Sequence, residues 1–353
     1  MDSAEAWTRR IDGTPVPGVG GKGAGLVRLV AAGAPVPSAF VVTTDAFRAA
    51  VGERAGRLDT ELAGVPVTAN EFAAHCAAAR QEVYEATEGH PVLDEVVEDH
   101  RRLAGEGGAA VAVRSSSSTE DSATASFAGE HDTYLWVDGP DAVTEAVRRC
   151  WASLYNDRAV AYRRQVGTAA ATMAVVVQQM VDADAAGVLM TLNPANGDRS
   201  SIVVESVWGL GEPLVSGEVT PDRFVLEKVT GQCCRRDIAA KPRRMARAAG
   251  GGQGVGWHPV PEAQASTASL SDAHLAELWR LGRLVEGAFG RPVDIEFVVA
   301  DRVLLVQARP ETTWSGRAAV AAPGASSAVQ LVLATLTSPV TPGAVGPPTH
   351  PHA

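Results

Sequence analysis

At 353 residues and 46% hydrophobic, the chain is long enough to bury a large core and to divide into two or more subdomains. Its formal net charge of -10 excludes non-specific binding to nucleic acid or anionic lipid, which needs a surplus of Lys and Arg on one face; an anionic ligand has to be held by local positive groups. The opening residues carry neither a basic stretch nor an apolar run, and no segment approaches the roughly 18 uncharged apolar residues of a membrane span, so a cytoplasmic setting with no membrane partner is expected.

In chain order, Gly18-Val-Gly-Gly-Lys-Gly-Ala-Gly25 precedes the apolar positions Leu26, Val27, Leu29 and Val30 and then Gly33. That is the pattern of a glycine loop, a short helix and a glycine at the helix end. After Pro35 and Pro37, Phe40-Val41-Val42 reads as a strand leading into a second helix near Asp45 to Val51. Residues 71–104, rich in Ala and Glu, read as surface helices. Ala109 to Val113 reads as a short strand, with Arg114-Ser-Ser-Ser-Ser-Thr-Glu-Asp121 as a polar loop directly after it, and Thr133 to Val137 as another strand.

From Asp141 to Tyr162 apolar residues fall at helical spacing. Short strands are predicted at 174–177, 187–190, 202–204 and 224–226, an internal loop at the glycine-rich 249–256, and a helix over 272–289 with one apolar stripe from Leu275 to Phe289. Strands at 293–299 and 303–307 close the pattern, and the mixture points to α+β or α/β subdomains. Beyond Trp314 the composition shifts to Ala, Ser, Pro and Gly, as in a flexible tail or linker. The four cysteines form no C-x-x-C pair for zinc or dithiol chemistry and read as reduced and structural.

Three stretches are able to carry chemistry. The glycine loop matches G-x-G-x-x-G, but no strand precedes it and Gly23 stands where a Walker loop needs Ser or Thr. It offers either a phosphate cradle, with Lys22 as a point charge, or a plain surface turn. Arg114 is placed to present a guanidinium to an oxyanion, or to sit solvated on the surface; Ser126-Phe-Ala-Gly129 with Thr133 is either a phosphate flap or a hairpin connection.

The third stretch is a hairpin. Residues two apart on a strand share a face, so Asp294 and Glu296 oppose Val293, Ile295 and Phe297. With Asp301-Arg302 as a two-residue loop, Glu296 lies opposite Gln307, Asp294 opposite Arg309 and Ile295 opposite Ala308. A three-residue loop would mix the faces, which favours the shorter turn. Carboxylates beside an amide and a guanidinium suit Mg2+ and phosphate; a solvated face with an Asp-Arg pair is the plainer alternative.

Taken together, these segments resemble the nucleotide-binding domain of the phosphoenolpyruvate synthase and pyruvate phosphate dikinase family. The matching residues, in order, are Gly20-Gly-Lys-Gly-Ala-Gly25 with Val36-Pro37 and Phe40-Val-Val-Thr-Thr44; Val113-Arg-Ser-Ser116 with Glu120-Asp121 and Ser126 to Gly129; Gln179-Met180; Trp208-Gly-Leu-Gly-Glu212 with Val215-Ser-Gly217 and Thr220-Pro-Asp222; and Asp294-Ile-Glu296 with Gln307-Ala-Arg-Pro-Glu-Thr312. They span residues 10–314.

The resemblance implies an α+β, ATP-grasp fold of two subdomains, 1–180 and 181–314, with the nucleotide site between them and residues 315–353 as a tail. It implies that Lys22, Arg114 and Arg309 act on ATP phosphates and that Gly129 and Thr133 belong to a closing loop. Gln178 and Gln179 would line the adenine pocket, Glu296, Gln307 and Asp294 would act through Mg2+, and Glu205 is a further nucleotide-site candidate. In the family a histidine on a swivelling domain, in a Thr-Ser-His setting, takes the phosphoryl group. None of the eight histidines here has that setting. The expectation is therefore an ATP-binding component that needs a phosphohistidine-carrying partner; a truncated rifampin phosphotransferase or phosphoenolpyruvate synthase, and a non-catalytic nucleotide-binding module, are the alternatives.

Overall fold

A computed structural model of the protein describes residues 6–105, 108–117, 132–167, 172–251 and 253–314. The chain runs through β1 (Thr8–Arg10), α1 (Gly20–Ala31) and β2 (Ala39–Val42), then α2 (Thr44–Val51), α3 (Arg54–Ala63), α4 (Phe72–Ala86) and α5 (Val92–Ala104). Next come β3 (Val111–Ser116), β4 (Thr133–Val137), α6 (Pro140–Ser153), α7 (Asp157–Val166) and β5 (Ala174–Gln179). The remainder holds β6 (Ala185–Met190), β7 (Ser201–Trp208), α8 (Glu212–Val215), β8 (Asp222–Glu227), β9 (Cys233–Asp237), β10 (Arg243–Arg247), β11 (Val255–Pro259), α9 (Glu262–Ala265), α10 (Asp272–Phe289), β12 (Val293–Val299) and β13 (Val303–Pro310).

The strands pair into a five-stranded sheet, β1-β2-β5-β3-β4, a six-stranded sheet, β13-β12-β6-β7-β8-β9, and the hairpin β10-β11. All these pairings are antiparallel, so the fold is a mixture of helices with antiparallel sheets. The chain leaves the first sheet at Gln179 and enters the second at Ala185, and the residues up to Trp314 form one compact unit.

Alternation along the strands assigns each sheet its two faces. Val111, Val113, Val175 and Val177 pack with Phe47, Trp151 and Tyr155 under the helical layer. The opposite face carries Val41, Ala174 and Val176, which share a second core with Leu26 and Leu29 of α1, Leu278 and Leu281 of α10, and Ile295 and Phe297 of β12. Helix α1 thus packs on strands of both sheets. Its end is a Schellman turn, in which Gly33 at φ +76° lets its own N–H reach Val30 and the Ala34 N–H reach Leu29.

Several elements depart from the sequence expectation. The helix predicted over 141–162 is two helices, because the chain turns at Leu154 to Asn156 while keeping Tyr155 fully buried. The loop predicted at 249–256 overlaps the start of β11, and β9 and β10 carry five arginines between them, so no apolar run announces them. The loop expected at Ser126 to Gly129 and the tail expected from residue 315 lie outside the described residues.

Candidate functional site

The glycines of the first loop are needed for a backbone approach within the chain itself. A Cβ on Gly20, whose φ is +67°, would lie 1.9 Å from the Ser116 carbonyl oxygen, and one on Gly25 would lie 2.3 Å from that of Ala308. Helix α1 is therefore wedged between the end of β3 and the middle of β13, with Lys22 on its first turn. The Ser116 hydroxyl donates to the Val19 carbonyl at 2.8 Å and accepts from the Gly23 N–H at 3.1 Å, while the Gly21 N–H donates to Ser117 at 3.1 Å. Two of the N–H groups that a helix start offers an anion are thus already taken by β3 and the residue after it. What the loop contributes to the charge of the site is Lys22, on the first turn of α1.

Arg114 is not in a loop after a strand, as its sequence context predicted. It sits inside β3, paired with Val176 on β5 and Thr133 on β4. The strand continues through Ser115 and Ser116 because both are buried, Ser116 as the cap of α1. From there the guanidinium crosses to the second sheet: Nη2 donates to Glu296 Oε2 at 2.7 Å and Nη1 to the Val306 carbonyl at 3.3 Å.

The register expected for the hairpin holds at the site, with Asp294 opposite Arg309, Ile295 opposite Ala308 and Glu296 opposite Gln307. Its turn differs. Val299 pairs with Val303, so Ala300, Asp301 and Arg302 form a three-residue loop, and Val306 is a bulge that restores the register. Asp-Arg suits a two-residue turn poorly, since such turns need positive φ. The bulge resolves the mixing of faces, because it lets the consecutive residues Val306 and Gln307 lie on one side. It also exposes the carbonyl that Arg114 uses.

Two carboxylates on this face titrate in opposite directions. Burial alone would raise the Glu296 carboxyl, but Arg114, with Lys22 and Arg309, outweighs it and holds the group below the ordinary carboxylate value. Burial raises Asp294 and prevails there, since Arg309 stands 3.4 Å away and Glu311 and Glu296 add negative charge. Gln307 is 8% exposed and its Oε1 has no donor among the described residues. A buried amide oxygen in need of a partner, next to carboxylates, fits a hard cation such as Mg2+. Among the described residues no three His, Cys, Asp or Glu side chains form a metal cage.

The other predicted residues fall as follows. Gln178 is on the Arg114 face, 2% exposed, and its side-chain nitrogen has no partner among the described residues. Gln179 pairs with Val111 and so points to the opposite, helix-covered side. Thr133 begins β4, exposed and opposite Arg114. Glu205 shares the face of Glu296 through Val188, two strands away, and is ion-paired with Arg223 at 3.6 Å. Gly129 lies outside the described residues. An open groove of about 540 Å3, lined by residues such as Gly33, His274, Glu277 and Arg302, includes none of these positions.

Sequence reasoning missed Trp136. It has φ +53°, rare for a bulky residue, at an irregularity where Val111 pairs with Val137 but Val113 with Tyr134. Such a conformation costs on the order of 1–3 kcal/mol. The bulge turns both Leu135 and Trp136 toward the second sheet, where they meet Met180, Leu304 and Val306. A tryptophan in an ordinary alternating strand carries no signal of this.

Comparison with known proteins agrees with the motifs. The family described as pyruvate phosphate dikinase, AMP/ATP-binding domain, matches residues 16–328. The prodigiosin synthesizing transferase PigC of Serratia marcescens is 42% identical over 84% of this chain and 32% of its own length. A rifampicin phosphotransferase of Streptomyces sviceus is 42% identical over 86% of this chain and 35% of its own; the phosphoenolpyruvate synthase of Aeropyrum pernix is 37% identical over 88% and 42%. The chain thus spans well under half the length of these relatives. Among solved structures, a dinucleotide-forming acetyl-coenzyme A synthetase 1 of Ca. Korarchaeum cryptofilum is 12% identical over 62% of this chain and 82% of that chain, with a TM-score of 0.34, too low to carry an argument. Among the described residues no helix is long and apolar enough to cross a membrane. By the extent of the family match and the identity to these relatives, the chain belongs to the pyruvate phosphate dikinase AMP/ATP-binding domain family.

Proposed function

We propose that this chain is the ATP-binding component of a phosphotransferase, with an ATP-grasp architecture whose nucleotide site lies between the two sheets. It binds Mg-ATP and passes a phosphoryl group to a histidine on a separate protein or domain. The observation that carries this reading is the meeting of Arg114 from the first sheet with the Glu296 and Gln307 hairpin of the second, with Lys22 close enough to act on Glu296. Separate sheets supply the cation for the phosphates and the oxygen ligands for the metal, so a nucleotide laid between them touches both.

In this reading Lys22, Arg114 and Arg309 orient the phosphates and stabilise charge on the transferring group. Glu296, Gln307 and Asp294 would hold Mg2+, which when bound offsets phosphate charge. Gln178 lines the base end; Gly129 and Thr133 belong to a covering segment, and Glu205 stands at the rim. The names of the relatives, two of them transferases and one a synthase, support phosphoryl chemistry. The test is to incubate the chain with labelled ATP, Mg2+ and histidine proteins encoded beside it. The expected product is an acid-labile, base-stable phosphohistidine on one of them; absence of label with every such partner would sink the reading.

A further inference from the structure

The first sheet presents to the second a buried donor that neither the motifs nor the resemblance assign. Trp136 is 9% exposed and its indole N–H has no acceptor among the described residues. An indole nitrogen only donates, so a buried one without a partner requires an acceptor from outside the described residues or remains unpaired. Its backbone is fixed in the positive-φ bulge by the Gly254 N–H, which donates to the Trp136 carbonyl at 3.2 Å, and the Arg247 guanidinium lies 5.2 Å from the ring centroid. The ring is therefore held from the side of the β10-β11 hairpin and not by a hydrogen bond of its own.

Its position in the sheet says what the acceptor is. Ala112 of β3 stands between Trp136, across the β4 bulge, and Gln178, its register partner on β5. Gln178 is likewise buried with an unpartnered side-chain nitrogen. Two residues along β3 on the same face is Arg114. Two orphan donors flank the smallest side chain on that stretch of strand, about two strand spacings or ~10 Å apart, beside the cation for the phosphates. Nitrogen acceptors on a flat ring, attached to a polyphosphate, answer that arrangement.

We propose that Trp136 is a specificity-determining residue of the nucleotide site, donating its indole N–H to a ring nitrogen of the purine base. This rests on the reading of the cleft as an ATP site. The experiment measures equilibrium binding of ATP and of its 1-deaza, 3-deaza and 7-deaza analogues to the full chain and to Trp136→Phe, which keeps an aromatic ring and removes the N–H. For the unaltered chain, one analogue is expected to bind about tenfold more weakly than ATP, the loss of one buried hydrogen bond. Trp136→Phe should bind ATP and that analogue equally, and Trp136→His, which keeps a ring N–H, should recover part of the difference. An unchanged ranking in Trp136→Phe, an equal loss for all four ligands, or no discrimination by the unaltered chain overturns the inference and leaves the ATP site standing. Failure of the unaltered chain to bind ATP at all removes both.

Discussion

Two of the ion pairs of this chain differ in their surroundings. Lys241 and Asp222 form a pair of almost no exposure. Asp222 also accepts from the Ala239 N–H at 3.0 Å and from both the N–H and hydroxyl of Ser269 at 2.7 Å, while Lys241 also donates to the Ala239 carbonyl at 2.8 Å. Because the Ser269 proton is committed to Asp222, Ser206 donates to Ser269 at 2.6 Å. The pair Arg114–Glu296 is partly exposed, at 15% and 27%, and beside it Gln307 Oε1 lacks a donor among the described residues. A saturated network ties β8 to the segments before β10 and α10 and has nothing left to offer a ligand. An unsaturated one retains capacity that a ligand completes.

Breaking the saturated pair should have the largest effect. Lys241→Met leaves the buried Asp222 carboxylate without its cation and is expected to cost about 3–5 kcal/mol of stability, read by chemical denaturation, with ATP affinity unchanged under native conditions. An equal fall in ATP affinity would show that the two networks are not separate. Glu296→Gln should do the reverse: stability shifts by about 1 kcal/mol or less, as for a partly exposed pair, while the Mg2+-dependent affinity for ATP drops roughly 10- to 100-fold. Isothermal titration with and without Mg2+ decides it, and a variant that binds Mg-ATP normally removes Glu296 from the site.

The smallest effect concerns a buried group outside both networks. His100 on α5 is 4% exposed, and burial outweighs the Ala109 backbone and Asp138 to hold its imidazole below the ordinary value of 6.5. Below pH 6.5 the unfolded chain takes up a proton that the folded chain refuses, so this residue lowers stability as the pH falls toward its folded value. His100→Gln should flatten that limb of the stability profile. An unchanged slope between His100→Gln and the original chain would show that the ring titrates alike in both states.

Much of the site was legible because two-residue periodicity and hairpin pairing are local. Asp294, Glu296, Gln307 and Arg309 alternate with core residues, and that alternation predicts which of them face one another. The turn was not legible, since a bulge at Val306 compensates for a longer loop and neither leaves a mark in composition. A run of serines looks like a loop, so the sequence sets Arg114 in one; burial of Ser115 and the bonds of Ser116 to the start of α1 keep it in the ladder. The glycine loop reads as room for phosphate, yet the atoms that Gly20 and Gly25 admit are the backbone oxygens of Ser116 and Ala308.

By itself the sequence determined the helices with strong apolar stripes, the valine strands, the register of the hairpin between Asp294–Glu296 and Gln307–Arg309, and the types of residue gathered on its polar face. Each follows from neighbours a few positions apart or from motif order. Only the tertiary structure decided that Arg114 would reach Glu296 across 182 positions, that α1 would be wedged between the sheets, and that Trp136 would turn inward from a strained bulge. Those outcomes depend on how two sheets fill the space between them, and the shape of that space is set jointly by residues far apart in the chain.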